Sequence, residues 1–112
     1  TARRSMQQGA VGIVSVASNP LPASMRRLSD LARAGQSAAA AALEAELQSL
    51  FEFLGVEPNP IPVKALLARL GLCQDVLRLP LVPLSTAHRA LLDAHAARVE
   101  TLEAQSLAAQ AA

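Results

Sequence analysis

The only lysine of the chain, Lys64, is the side chain with the clearest capacity for covalent chemistry. A primary amine can attack a carbonyl carbon and form a Schiff base when its surroundings keep it deprotonated. Lys64 follows a connector with three prolines in the five positions 58–62 and falls in the first turn of a predicted helix. Because such a helix start lies near solvent, we expect Lys64 to be a structural residue and not a nucleophile.

Four other reactive side chains lack the partners that catalysis or metal binding requires. His88 and His95 are seven residues apart on one predicted helix, about 10 Å along its axis, which is too far for both to bind one ion. Cys73 has no neighbouring histidine and is expected to be a small buried hydrophobic side chain. Ser15 lacks the Gly-x-Ser-x-Gly pattern of a serine nucleophile. The sequence therefore predicts no catalytic residue and no metal site within the chain.

The composition indicates a packed, mainly helical protein. Of the 112 residues, 52% are hydrophobic and 17% are charged, which is too apolar for a disordered chain, and 24 Ala and 19 Leu favour helices. The net charge is +1, without the basic stripe or stacking aromatics of a nucleic-acid surface, so we expect no nucleic-acid partner. A single cysteine, no run of 18 apolar residues and no signal-peptide pattern predict a reducing, cytoplasmic setting without a membrane partner.

One segment is predicted to be a β-strand. Gly12–Val16 is a β-branched run of strand length, followed by a turn at Ser18–Pro20, which is typical of a buried parallel strand. No second strand is predicted, so the N–H and C=O groups of this segment need partners that lie elsewhere. Thr1–Gln8 before it is predicted to be the end of a helix. Because the chain begins with Thr1, we expect it to be a fragment of a longer protein.

Helices are predicted for most of the remaining chain, with Gly35, Gly55 and Gly71 as their stops. The proline-punctuated stretch Leu77–Pro83 is predicted to be an extended strap that packs on the helices. We expect the Ala- and Gln-rich sequence beyond Ala104 to fray. The predicted helices are Ala23–Ala34, then Ser37–Leu54 with Ser37 as N-cap, then Pro62 or Val63 to Leu70, and a last helix capped by Ser85 or Thr86 with Leu91, His95, Val99 and Leu102 on its buried face.

This order of elements divides the chain into two parts. Residues 1–34 contain the strand and a crossover-type helix, and residues 35–112 form a helical domain. A strand and helix followed by further helices is typical of the closing end of an α/β barrel or of an open α/β sheet. We favour the barrel.

Three strings carry a resemblance to a known family. They are Gly12-Ile13-Val14-Ser15-Val16-Ala17-Ser18-Asn19, Glu57-Pro58-Asn59-Pro60-Ile61-Pro62-Val63-Lys64 and Leu77-Arg78-Leu79-Pro80-Leu81-Val82-Pro83-Leu84. Their order and spacing resemble the last part of the dihydrodipicolinate synthase family, over about residues 1 to 100. The resemblance implies an α/β fold, mostly α within this chain: residues 1–34 as the last strand and helix of a (β/α)8 TIM barrel, and residues 35–112 as a C-terminal helical domain.

The resemblance also implies an activity. The family is a class I aldolase that condenses pyruvate with aspartate semialdehyde through a lysine Schiff base, without a further cofactor, in diaminopimelate and lysine biosynthesis. In the family, the residue in the place of Val14 presents its backbone carbonyl to the pyruvate-derived adduct, so Val14 is implied as a substrate-binding residue. The family's Schiff-base lysine and proton-relay tyrosines lie on earlier strands, and this chain has no Tyr. We therefore expect the chain to be inactive alone. The resemblance further implies that the full enzyme is a homo-oligomer, a homotetramer.

Two alternatives stay open at this point. The chain could be a non-catalytic helical interaction module whose strand extends a partner's sheet. It could also belong to a related lyase that acts on sialic acid or keto-sugar acids, although the Asn-Pro-Ile-Pro-Val-Lys and Leu-Arg-Leu-Pro strings resemble the synthase more closely. A lysine on an additional barrel strand, outside this chain, would distinguish a synthase from the interaction module.

Overall fold

The computed structural model of the chain describes residues 1–112 and consists of helices joined by short connections. Six α-helices and one 3₁₀ turn are present, and there is no β-strand. In chain order they are α1 (Ala2–Gln7), the 3₁₀ turn (Val16–Ser18), α2 (Pro22–Arg33), α3 (Ser37–Leu54), α4 (Ile61–Arg69), α5 (Thr86–Arg89) and α6 (Leu92–Ala111).

Helix α2 is the central element and packs against α1, α3 and α6. Pro22 lies in its first turn, where the fixed φ of proline favours the helix, and Leu28 on its inner face is fully buried. The helix is followed by Gly35 with a φ of +72°, and the N–H of Gln36 donates to the carbonyl of Leu31 at 3.0 Å. This arrangement is a Schellman motif, which needs a left-handed residue at the glycine position. The predicted helix and its glycine stop are confirmed to within one residue.

Helices α1 and α3 are joined by polar side chains. The Nε of Arg3 donates to a carboxylate oxygen of Glu44 at 2.7 Å, and Gln7 donates to the hydroxyl of Ser37 at 3.0 Å. Burial raises the pKa of the Glu44 carboxyl, but its hydrogen bonds and the positive charge of Arg3 outweigh burial and hold the pKa below its ordinary value. The prediction that Ser37 is the N-cap of α3 is wrong. Gln36 occupies that position, and Ser37 is the first helical residue.

The hydrophobic core is continuous from α1 to α6, so both parts of the chain, residues 1–34 and 35–112, contribute to it. Leu84, which follows the strap, is buried in the same cluster. Its 19 members are Met6, Ala17, Leu21, Met25, Leu28, Ala32, Ala40, Leu43, Leu47, Leu50, Phe53, Ile61, Ala65, Leu66, Leu84, Leu92, Ala96, Val99 and Leu102.

The β-strand predicted for Gly12–Val16 does not form in this chain. Ser15 has extended backbone angles, with φ −142° and ψ 135°, but Val16 already begins the 3₁₀ turn. No other extended segment of the chain pairs with these residues. A strand is stabilised by hydrogen bonds to its neighbours, so an extended segment without a neighbour is not a strand. The correction concerns this chain, and the expectation of partners elsewhere stays a prediction.

The last helix also differs from the prediction, at both of its ends. It is interrupted, because α5 ends at Arg89 and α6 begins at Leu92. Val99 and Leu102 are buried as predicted, whereas Leu91 is exposed and His95 is half-buried. The sequence beyond Ala104 does not fray. It stays helical to Ala111, because the side chains of Ser106 and Gln110 form hydrogen bonds with α2.

Candidate functional site

Val14 lies in the connection between α1 and the 3₁₀ turn, with its side chain fully exposed. The peptide groups of residues 11–14 make no hydrogen bond within the chain. On the C-terminal side of Val14, the hydroxyl of Ser15 accepts a hydrogen bond from the N–H of Ala17 at 3.2 Å, and its carbonyl accepts from the N–H of Ser18 at 3.2 Å. The Val14 carbonyl is therefore available to a group that approaches it, while the residue after it is held by the turn.

A groove of about 360 Å³ runs beside this connection, between residues 11–13 and one face of α2. Met6 and Met25 form part of its apolar lining. The polar part includes Arg26 and Asp30, which form an ion pair at 2.6 Å four residues apart on α2. The groove has no lysine, cysteine or histidine in its lining, so within this chain it offers contacts and not a nucleophile.

The N-terminus of α2 is held by α6. Leu21, the N-cap residue of α2, has no polar side chain, and the first amides of the helix need another acceptor. Glu103 supplies it: one carboxylate oxygen accepts from the N–H of Ala23 and the other from the N–H of Ser24, each at 2.8 Å. A carboxylate at this end also interacts favourably with the helix dipole. The cap thus comes from a residue 80 positions away in sequence.

Two further side chains of α6 reach the same end of α2. The hydroxyls of Ser24 and Ser106 lie 3.1 Å apart, and both residues are buried. The amide nitrogen of Gln110 donates to the carbonyl of Ala23 at 2.9 Å. The sequence analysis does not identify these residues, although their spacing carries a signal. Glu103, Ser106 and Gln110 continue the buried face of Val99 and Leu102 at steps of three and four, as a helix requires.

Lys64 lies in the first part of α4, and its amine donates to the backbone carbonyl of Val76. This contact joins α4 to the segment that leads into the Leu77–Pro83 strap. Lys64 lines a second groove, formed with Pro60 and the strap, and not the groove beside Val14. The contact is consistent with the structural role expected for Lys64.

The second and third sequence strings meet in space. The carboxylate of Glu57, at the start of the proline connector, accepts a hydrogen bond at 3.1 Å from the N–H of Ser85, the residue after the third string. Hydrogen bonding by Ser85 lowers the pKa of Glu57 below its ordinary value, although partial burial opposes this. The strap is further held by Arg89, which donates to the Leu84 carbonyl at 3.3 Å and pairs with Asp75 at 2.9 Å.

The remaining reactive side chains are separate from one another. His95 stacks on Phe53, with ring centroids 4.3 Å apart, and burial lowers the pKa of its imidazole. The prediction that Cys73 is buried is wrong: it is exposed, because it follows the end of α4 in a connection without covering side chains. No group of three or more His, Cys, Asp or Glu side chains could hold a metal ion. None of the helices combines the length and the apolar character needed to cross a bilayer.

The sequence matches the model of the dihydrodipicolinate synthetase family over residues 1–99. It is 56% identical over 106 residues to a 4-hydroxy-tetrahydrodipicolinate synthase of Xanthomonas axonopodis pv. citri, covering 95% of this chain and 35% of that protein. A 4-hydroxy-tetrahydrodipicolinate synthase of Stenotrophomonas maltophilia is 51% identical over the same length, with the same coverage. The chain thus spans about a third of the length of these relatives.

Solved structures agree with this match. The chain is similar to the chloride-inhibited dihydrodipicolinate synthase of Acinetobacter baumannii, solved with pyruvate, with a TM-score of 0.82 and 34% identity over 88% of this chain and 34% of that one. It is similar to a monomeric dihydrodipicolinate synthase variant with a TM-score of 0.79 and 34% identity, over 91% of this chain and 35% of that one. On the family match and these likenesses together, the chain belongs to the dihydrodipicolinate synthetase family.

Proposed function

We propose that this chain is the C-terminal part of a dihydrodipicolinate synthase, a lyase that condenses pyruvate with aspartate semialdehyde through a lysine Schiff base. The observation that carries the proposal is the family match over residues 1–99, with 51–56% identity to two synthases. The nucleophilic lysine implied by the family lies on a barrel strand outside these 112 residues. By itself the chain is inactive.

In this proposal, residues 1–34 are the last strand and helix of a TIM barrel, and residues 35–112 are the helical domain. The carbonyl of Val14 binds the pyruvate-derived adduct. Two features support this role: the free peptide groups of residues 11–14, and the exposed side chain of Val14. A barrel strand needs peptide groups that are free to pair with strands on both sides. A contact made by a backbone carbonyl also accommodates Val or a similar side chain at this position.

The proposal also covers the oligomeric state and the subcellular localisation of the enzyme. The assembled enzyme is a homo-oligomer, a homotetramer by family resemblance, and acts in the cytoplasm without a metal or a further cofactor. The helical interaction module is not favoured, because relatives at 51–56% identity are synthases.

The proposal is tested by measuring the activity and the borohydride-trapped adduct of a hybrid enzyme. The Xanthomonas axonopodis relative is expressed with its matched residues replaced by residues of this chain, over the 106 positions that align. We expect the hybrid to condense pyruvate with aspartate semialdehyde and, on treatment with pyruvate and borohydride, to give an adduct on a lysine outside this chain. Lys64 stays unmodified in the peptide map. A soluble hybrid without an adduct, or an adduct on Lys64, contradicts the proposal, and an adduct without condensation of aspartate semialdehyde would favour a related keto-acid lyase.

A further inference from the structure

The N-terminus of α2 depends on one carboxylate for its exposed helix amides. Leu21 offers no side-chain acceptor, and Glu103 receives the N–H groups of both Ala23 and Ser24 at 2.8 Å. Two charge-assisted hydrogen bonds to consecutive amides fix the direction of the first turn as well as its position. The side chain of Glu103 is only partly buried, and it makes no competing ion pair.

A series of hydrogen bonds leads from this turn back to Ser15, the residue that follows Val14. The N–H of Met25 donates to the carbonyl of Leu21 at 2.9 Å, and the N–H of Leu21 donates to the carbonyl of Ala17 at 3.0 Å. The N–H of Ala17 in turn donates to the hydroxyl of Ser15 at 3.2 Å. Leu21 and Ala17 are both buried in the core, so the series cannot move without repacking them.

We propose that Glu103 is a positioning residue for the Val14 carbonyl, acting through the first turn of α2, Leu21, Ala17 and Ser15. This inference rests on the proposed function, in which that carbonyl binds the pyruvate-derived adduct. Glu103 does not touch the substrate. It fixes the first turn of α2. Through Leu21 and Ala17, that turn fixes the position of Ser15, the residue that follows Val14. A small displacement at this carbonyl weakens a contact that depends on distance and direction.

The test uses the hybrid enzyme with Glu103→Gln. The amide keeps the size of the side chain, but it offers one acceptor oxygen where the carboxylate offers two. We expect the KM for pyruvate to rise on the order of tenfold, with kcat changed less than about twofold, because a contact made equally to bound substrate and adduct affects KM. The matched control is Glu100→Gln, which removes the same charge from an exposed residue of α6 whose side chain makes no ion pair, and it should leave KM unchanged.

A double-mutant cycle separates positioning from general destabilisation. Ser15→Ala removes the hydroxyl at the other end of the series and should raise the KM for pyruvate severalfold. If both residues act through one series, the KM of Glu103→Gln/Ser15→Ala equals that of the worse single variant. Effects that multiply would show independent action and overturn the proposal. So would a folded Glu103→Gln enzyme with the KM of the unmodified hybrid.

Failure of the proposed function and failure of the Glu103 role give different results. If the unmodified hybrid gives no pyruvate adduct, the proposed function fails. If the unmodified hybrid is active, the kinetics of the variants decide on Glu103 alone. Should Glu103→Gln not fold, Glu103→Asp retains the charge and reaches a single amide, and it should show an intermediate KM. A KM for Glu103→Asp equal to that of the unmodified hybrid would reject the positioning role.

Discussion

Residues 11–13 line a groove beside α2, and the last turns of α6 pack on the same helix, but the two regions differ in how their polar groups are used. The peptide groups of residues 11–14 make no hydrogen bond within the chain, and Val11 and Val14 are exposed. The end of α6 places Glu103, Ser106 and Gln110 on α2, each in a hydrogen bond. Partners outside a segment, more than its own residue types, determine which of the two is ordered by hydrogen bonds.

The largest effect on activity should come from a substitution that changes the backbone of residues 11–14. Val14→Pro in the hybrid enzyme fixes φ and removes a strand N–H, which would displace the carbonyl proposed to bind the adduct. We expect activity to fall roughly a thousandfold or more, measured as condensation rate and as borohydride-trapped pyruvate.

The matched control is Val14→Ile, which keeps the backbone and changes one methylene. It should be nearly silent, because a backbone carbonyl makes the contact. A large rise in the KM for pyruvate in the Ile variant would show that the side chain takes part, and the proposed backbone role would then be wrong.

The next effect concerns the end of α6. Ser106→Ala leaves the buried hydroxyl of Ser24 without its partner, and we expect the free energy of unfolding to fall by about 1–3 kcal/mol, measured by urea denaturation. Gln105→Ala, at the exposed neighbouring position, should change it by less than about 0.5 kcal/mol. Equal effects of the two variants would mean that this part of α6 frays in solution.

The double variant Ser24→Ala/Ser106→Ala sharpens the same comparison. With both hydroxyls removed, no buried polar atom of this pair is left unsatisfied, so its loss of stability should be smaller than that of Ser106→Ala alone. Additive losses would show that the two hydroxyls do not interact.

A smaller effect is expected for the stability of the 112-residue chain when residues 11–14 are changed. Val14→Lys alters a fully exposed side chain, so the free energy of unfolding should change by less than about 0.5 kcal/mol. Unpaired extended backbone promotes association between chains, and a charge on it opposes this. Sedimentation should therefore show less self-association of the Lys variant than of the unmodified chain. A large loss of stability would indicate that residues 11–14 are packed in solution.

The smallest effect should be a pH dependence of stability that arises from His95. This residue belongs to neither of the two regions compared above. Burial lowers its pKa in the folded chain, so the unfolded chain binds the proton more readily. Stability should be fully retained above the ordinary histidine pKa and should decrease as the pH falls below it. His95→Leu should remove this decrease in thermal unfolding curves between pH 7.5 and 5. An unchanged slope would assign it to other groups.

Local sequence patterns predict those helices whose bounds depend on neighbouring residues. Apolar spacing and a glycine at the left-handed position define α2 and α4, and the structure places a positive φ at both Gly35 and Gly71. The caps were not predictable in the same way. Ser37 is a favoured N-cap type, yet its hydroxyl accepts from Gln7 across 30 residues, and the cap of α2 is Glu103. Contacts between distant residues leave little trace in a single sequence.

The candidate site illustrates the same division. Resemblance implies a role for Val14, whereas its chemistry does not, since a backbone carbonyl has no residue-specific signature. Gly12–Val16 has strand-forming residues, but strand formation depends on neighbours that this chain does not provide. Beyond Ala104, the Ala- and Gln-rich composition predicts fraying, whereas a few polar residues at helical spacing hold the helix on α2.

The sequence separation of the Glu103 cap has a consequence for biosynthesis. Glu103 is translated 80 residues after Ala23, and chains emerge from the ribosome at about 5–20 residues per second. For several seconds the first turn of α2 therefore has no acceptor for its amides other than water. During that interval its N-terminus is free to unwind, and only the docking of α6 closes it.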